Sequence, residues 1–119
     1  MLKRIKFLAL PVKDQSRALE FYTKKVGFKV FTDQTMGPTR WIELQIPGAE
    51  TMLVLHHKPD HQPGAKEPAV AFETDNVPAT YDELRGKGVE FTQPPKQEHW
   101  GEHAIFKDSE GNLILFAKS

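Results

Sequence analysis

The sequence predicts an α+β fold made of two tandem copies of one strand–helix–three-strand module. Three observations predict it. Two stretches carry apolar residues at helical spacing between capping residues, eight short stretches read as strands, and landmarks of the first half return in the second. Gly27-Phe28-Lys29-Val30 corresponds to Gly88-Val89-Glu90-Phe91 and Asp14 to Asp75, both at an offset of 61 residues, and Leu8-Ala9-Leu10 answers Val70-Ala71-Phe72. A lone module of this kind cannot cover both faces of its sheet, so two are expected to pack together.

The elements follow in order. MLKRIKFLALPVKD sets basic residues before an apolar run, as a secretory signal does. The run is short, lacks a small-residue cleavage site and meets Pro11 and Lys13, so a first strand over residues 5–10 is expected. Asp14 can cap the helix QSRALEFYTKKV, whose apolar stripe is Ala18, Phe21, Tyr22 and Val26, and Gly27 suits the left-handed position that ends it. Strands are expected over residues 28–33, 40–46 and 51–57. The Pro-rich stretch HHKPDHQPGAKEPA then reads as a hinge (about residues 59–67) between a first module of residues 1–58 and a second of residues 68–119. A strand over residues 69–74 leads to the second helix. Asp75 or Asn76 can cap it, Pro78 falls in its first turn, Tyr81 and Leu84 are its apolar contacts, and Gly88 closes it. Strands over residues 89–93, 103–107 and 112–117 complete the chain, the last after the turn signal Asp108-Ser109-Glu110-Gly111-Asn112.

Composition narrows the function. The 119 residues suit one domain of two modules, long enough to bury roughly two-thirds of the unfolded surface. Lys+Arg 16 against Asp+Glu 16 leaves no basic excess, so nothing points to nucleic acid. Without cysteine there is no disulfide framework, thiol nucleophile or zinc–thiolate site. No apolar stretch approaches a membrane span, and a soluble cytoplasmic protein is the default expectation.

VKDQSRALEFYTKKVGFKV, its tandem copy and the closing FKDSEGNLILF resemble the vicinal oxygen chelate superfamily, which includes glyoxalase I, extradiol dioxygenases, fosfomycin resistance enzymes and bleomycin resistance proteins. The resemblance covers essentially the whole chain. It implies paired βαβββ modules with helices on the outer face and curved sheets forming a cup-shaped cavity, usually within a homodimer. Metal-dependent members of that superfamily carry His, Glu or Gln at four inward positions on the first, fourth, fifth and eighth strands. Carried over, these positions are Phe7, Val54, Ala69 and Leu115. None can donate a lone pair to a divalent cation, and no neighbouring register restores four ligands, so no cofactor is expected. A divalent metal would need a non-standard site.

Strand alternation supplies the other lining residues. Ile42, Leu44 and Ile46 suit the helix side, which sends Trp41, Glu43 and Gln45 inward, and Met52, Val54 and His56 follow the same rule. So do Ala69, Ala71 and Glu73, and then His103 and Ile105, with Ala104 and Phe106 on the helix side. The expected ligand-binding set is Phe7, Trp41, Met52, Val54, Ala69, Trp100, Ile105 and Leu115, an apolar floor with few polar groups, as a pocket for a partly apolar organic molecule has. Glu43, His56, Glu73 and His103 are candidate acid–base groups. Each has a plain structural alternative: Glu43 pairing with Arg40 or Lys107, the histidines satisfied locally at a rim. Trp41 can equally be core or dimer interface. Trp100 sits in QEHWGEH, which resembles a loop reaching over the cavity, and can cap a planar ring or dock on the surface. The run His56-His57-Lys58-Pro59-Asp60-His61 suits adventitious metal binding more than a built site.

Three functional classes follow. The first is metal-free binding of a small organic molecule in the manner of bleomycin resistance proteins. The second is a lyase, isomerase or dioxygenase-like enzyme with a displaced metal or metal-free acid–base chemistry. The third is a protein-interaction module with a vestigial cavity. Balanced charge argues against a strongly cationic ligand such as bleomycin, and the absence of metal ligands and of a cationic cluster argues against fosfomycin.

Overall fold

A computed structural model of the chain describes residues 1–118. The chain divides into two compact units, Met1–His61 and Gln62–Ser119, and the boundary falls inside the Pro-rich stretch read as a hinge.

The first unit runs β1 (Phe7–Val12), α1 (Gln15–Glu20), a π-helical turn (Phe21–Val26), β2 (Lys29–Met36), β3 (Thr39–Gln45) and β4 (Met52–His57). Its sheet has the order β1-β4-β3-β2, with β1 parallel to β4 and the other pairs antiparallel. Asp14 caps α1 as expected, accepting from the Arg17 N–H at 3.0 Å. The single helix expected over residues 15–26 instead widens at Phe21. Its end closes on the Tyr22 carbonyl, which accepts from the Gly27 N–H five residues on and from the Phe28 N–H at 2.9 Å. Sequence neighbours in an α-helix point about 100° apart, whereas the wider turn lets Phe21 and Tyr22 both be buried. Leu10, Val12, Ile42, Leu44, Leu53 and Leu55 are buried on the helix side of the sheet.

The second unit runs β5 (Pro68–Thr74), α2 (Val77–Gly86), β6 (Phe91–Glu98), β7 (Gly101–Lys107) and β8 (Leu113–Lys118), with sheet order β5-β8-β7-β6. Asn76 rather than Asp75 caps α2, accepting from the Ala79 N–H at 3.0 Å. Tyr81 packs edge-on to Phe91 at 4.6 Å and Leu84 is buried, as is Val77 at the first helical position. Two expectations are corrected here. The strand expected over residues 89–93 starts at Phe91 and runs through Pro94 and Pro95 to Glu98, which it can do because β6 is an edge strand and its missing N–H groups break no inner ladder. QEHWGEH is therefore not a long loop: Glu98 pairs with Gly101, leaving only His99 and Trp100 as the hairpin turn.

The turn before β8 is built around a buried carboxylate. Asp108 Oδ1 accepts from the N–H groups of Glu110 and Asn112, both at 2.9 Å, and Oδ2 accepts from Asn112 Nδ2 at 3.1 Å. Asp108, Glu110 and Asn112 are all buried. Gly111 has φ +81°, and a Cβ there would lie 2.6 Å from Pro63 Cα.

Candidate functional site

On the face of the first sheet turned away from the helix, pairing aligns Phe7 with Met52, Ala9 with Val54, and Glu43 with both Val54 and Thr32. Trp41 and Glu43 share that face two residues apart, and the Trp41 indole N–H donates to Glu43 Oε1 at 2.7 Å. Phe7 meets the Trp41 ring edge-on at 5.8 Å, and Phe7 is 40% exposed. The expected aromatic platform of Phe7 and Trp41 thus forms, with Met52 half-buried and Val54 fully buried beside it. Glu43 pairs with neither residue expected as its alternative partner. Arg40 faces the other way and forks onto Asp33 through Nε and Nη2 at 2.9 and 2.8 Å, while Lys107 takes Glu90 at 3.3 Å. The hydrogen bonds from Arg40 hold the Asp33 carboxyl below, and the guanidinium above, their ordinary values.

Beyond Glu43–Val54 the ladder between β3 and β4 stops. Each strand continues, β3 held by β2 as far as Met36–Thr39 and β4 held by β1 as far as Val12–His57. The buried amide of Gln15 stands in the opening: Nε2 donates to the carbonyls of Arg40 on β3 at 2.8 Å and Leu55 on β4 at 2.9 Å. A cavity of about 230 Å³ lies at this split, lined by Pro38, Thr39, Arg40, Trp41, Leu55, His56 and His57. A more open cleft of about 500 Å³ adjoins it through Arg40 and His57 and adds Lys13, Asp14, Gln15, Ser16 and Arg17. Of the expected set, Trp41 and His56 line the cavity. Gln15 was not singled out, Arg40 entered only as a partner for Glu43, and His57 only as part of the histidine run. Gln15 reads as an ordinary first-turn residue, and nothing local in the sequence marks the carbonyls it serves.

In the second unit, Ala71 pairs with Leu115 and Leu115 with Ile105, while Glu73 pairs with Ala117 and Ala117 with His103. Ala71, Glu73, Ile105, His103 and Leu115 therefore share one face, as alternation predicts, and Ala69 falls in the irregular step between Pro68 and Val70. Glu73 and His103 are separated by a whole strand, about 10 Å, and no hydrogen bond joins them. His103 is buried, its Nδ1 has no hydrogen-bond partner, and the Trp100 ring lies over it at 4.5 Å. Trp100 itself is 53% exposed. His61 Nε2 is likewise buried and unpartnered, while His56 and His57 are exposed at the end of β4. Among the described residues no three His, Cys, Asp or Glu side chains come together as a metal-holding group. Among the described residues no helix is long and apolar enough to cross a membrane.

Residues 4–116 match the Glyoxalase/Bleomycin resistance protein/Dioxygenase superfamily. The chain belongs to this superfamily. It is 39% identical over 117 residues to the uncharacterized protein YetH of Bacillus subtilis (strain 168), covering 97% of this chain and 98% of that one. Among solved structures it is similar to TnmS3, an antibiotic binding protein from Streptomyces sp. CB03234, at 32% identity and a TM-score of 0.86 over 98% of this chain and 96% of that one. A superfamily member from Sphaerobacter thermophilus DSM 20745 matches at 27% identity and a TM-score of 0.88, over 99% of this chain and 98% of that one. The resemblance seen in the sequence motifs and the tandem α+β fold are therefore both borne out.

Proposed function

We propose that this chain is a small-molecule-binding protein of the glyoxalase/bleomycin-resistance type that holds a partly apolar, planar organic molecule without a metal. The observation that carries this is the fixed platform of Trp41. Its indole N–H is committed to Glu43 and its ring meets Phe7 nearly at right angles, so the indole is held in place and a ligand packing on it orders little side chain. Apolar side chains at the four metal positions support the same reading, as does the similarity to an antibiotic binding protein. The rest of the proposed lining is Met52, Val54, Ala69, Ile105, Leu115 and Trp100. A cytoplasmic homodimer is part of the proposal; equilibrium sedimentation tests the dimer.

The deciding experiment is titration of chelator-treated protein with neutral bicyclic aromatics such as 2-naphthol, followed by tryptophan fluorescence and calorimetry. Binding without added metal, weakened at least about tenfold in Trp41→Ala, is the expected result. A requirement for a divalent metal, or no binding, overturns it.

A second reading, acid–base chemistry, is favoured by the buried, unpartnered Nδ1 of His103. It requires turnover of some substrate that His103→Gln abolishes while binding survives. Glu43 is weaker in that role, since one of its oxygens already orients Trp41.

A further inference from the structure

We propose that the split between β3 and β4 is a binding notch for a planar organic anion, an aromatic carboxylate or its equivalent, seated beside Trp41. The inference rests on the small-molecule reading above and names the chemistry and place of the ligand.

The notch is held open by a dedicated group. Two adjacent antiparallel strands gain by completing their ladder, and two carbonyls left unpaired at a buried break are costly. Gln15 removes that cost by donating both hydrogens of one amide nitrogen, one to each strand. The repeat shows that the opening is specific to one module. In the second unit the first helical position is the buried Val77, which has no donor, and the corresponding β7–β8 ladder pairs without interruption from His103–Ala117 to Lys107–Leu113.

Size and lining identify the occupant. An apolar cavity of about 150 Å³ holds one benzene ring, so 230 Å³ suits one substituted ring. Trp41, Pro38 and Leu55 supply apolar wall, while Arg40, His56 and His57 supply N–H groups, and no carboxylate lines the cavity. Arg40 uses three of its five N–H donors, two on Asp33 and one on Ser16 Oγ at 2.7 Å, which fixes the guanidinium and leaves two for a ligand. The adjoining cleft is lined by Lys13, Asp14 and Arg17 together with Gln15 and Ser16.

The test uses the full-length ¹⁵N-labelled protein, titrated with benzoate, with its neutral isostere benzamide, and with 2-naphthol. The Trp41 indole and Gln15 side-chain amide signals are the readout, with Trp100→Phe used to assign the indoles. Benzoate is expected to shift both signals and to bind at least about tenfold more tightly than benzamide, the loss expected for one charge-assisted hydrogen bond. Arg40→Gln should erase that preference, and Gln15→Val should remove benzoate binding. If Gln15→Val does not fold, Arg40→Gln decides alone. Equal binding of benzamide, or benzoate shifts confined to residues outside the notch, overturns the inference. If 2-naphthol binds with Trp41 shifts and benzoate does not, the notch falls and the small-molecule reading stands; if neither binds, both fall.

Discussion

The two modules descend from one pattern yet differ where their third and fourth strands meet. In the second, β7 and β8 pair without a break from His103–Ala117 to Lys107–Leu113, the first helical position is the apolar Val77, and the turn joining the strands is tied to the buried Asp108 carboxylate. In the first, β3 and β4 pair over three residues and then part around the Gln15 amide, and Ile46–Thr51, the connection joining them, has no buried polar residue. The modules differ together at one helical position and in how far the ladder runs. A buried hydrogen-bonding group thus acts less as a source of stability than as a device for choosing a geometry.

The largest effect should come from breaking the closed side. Asp108→Ala removes three hydrogen bonds to a buried carboxylate and should cost about 3 kcal/mol or more by urea unfolding, with loss of hydrogen-exchange protection along β7–β8. Gly111→Ala comes next. Its φ of +81° and the 2.6 Å approach of Pro63 Cα should together cost about 2–3 kcal/mol, whereas Gly86→Ala, at an exposed helical position where a Cβ meets nothing, should stabilise by about 0.4–1 kcal/mol. Exchanging the residues that differ sharpens the comparison further. Gln15→Ala leaves the Arg40 and Leu55 carbonyls without their donor and should cost about 1–3 kcal/mol, and Val77→Gln buries an amide in the module with no gap to receive it, at a similar cost. Amides between β3 and β4 near Arg40 and Leu55 should exchange faster than those between β7 and β8.

The smallest effect is electrostatic. Asp33 has its carboxyl pKa lowered by hydrogen bonds from Arg40, so the pair stabilises the fold above the ordinary carboxylate range and loses that contribution as pH falls through the folded-state value. Both side chains are partly exposed, so Asp33→Asn should cost no more than about 1 kcal/mol at pH 7, shrinking towards zero as pH falls through the lowered folded-state value. A cost that persisted at acid pH would mean that Asp33 acts through shape rather than charge.

Much of this was legible in the chain. Alternation along strands placed Trp41 with Glu43 and His103 with Ile105 on shared faces, because side-chain direction in a strand depends only on position parity. Asp14 and Gly27 marked the ends of the first helical stretch, because capping and positive φ are local demands that few residues meet. The passage of β6 through Pro94-Pro95 was not legible, because proline is excluded only from inner strands and the edge position of β6 is a property of the sheet. Partner choice was not legible either: Arg40 and Lys107 were the expected partners of Glu43, and the face on which each side chain emerged selected the Trp41 indole instead.

By itself, the sequence determined the tandem α+β architecture and, through its motifs, the resemblance to the superfamily. The architecture follows from periodicity, caps and turn residues, which are fixed before the chain folds. Only the tertiary structure decided that Gln15 meets Arg40 and Leu55, that His103 Nδ1 is buried without a partner, and that a cavity opens beside Trp41. Each of these joins groups distant along the chain, and whether a polar atom is satisfied depends on what packing brings within 3 Å of it.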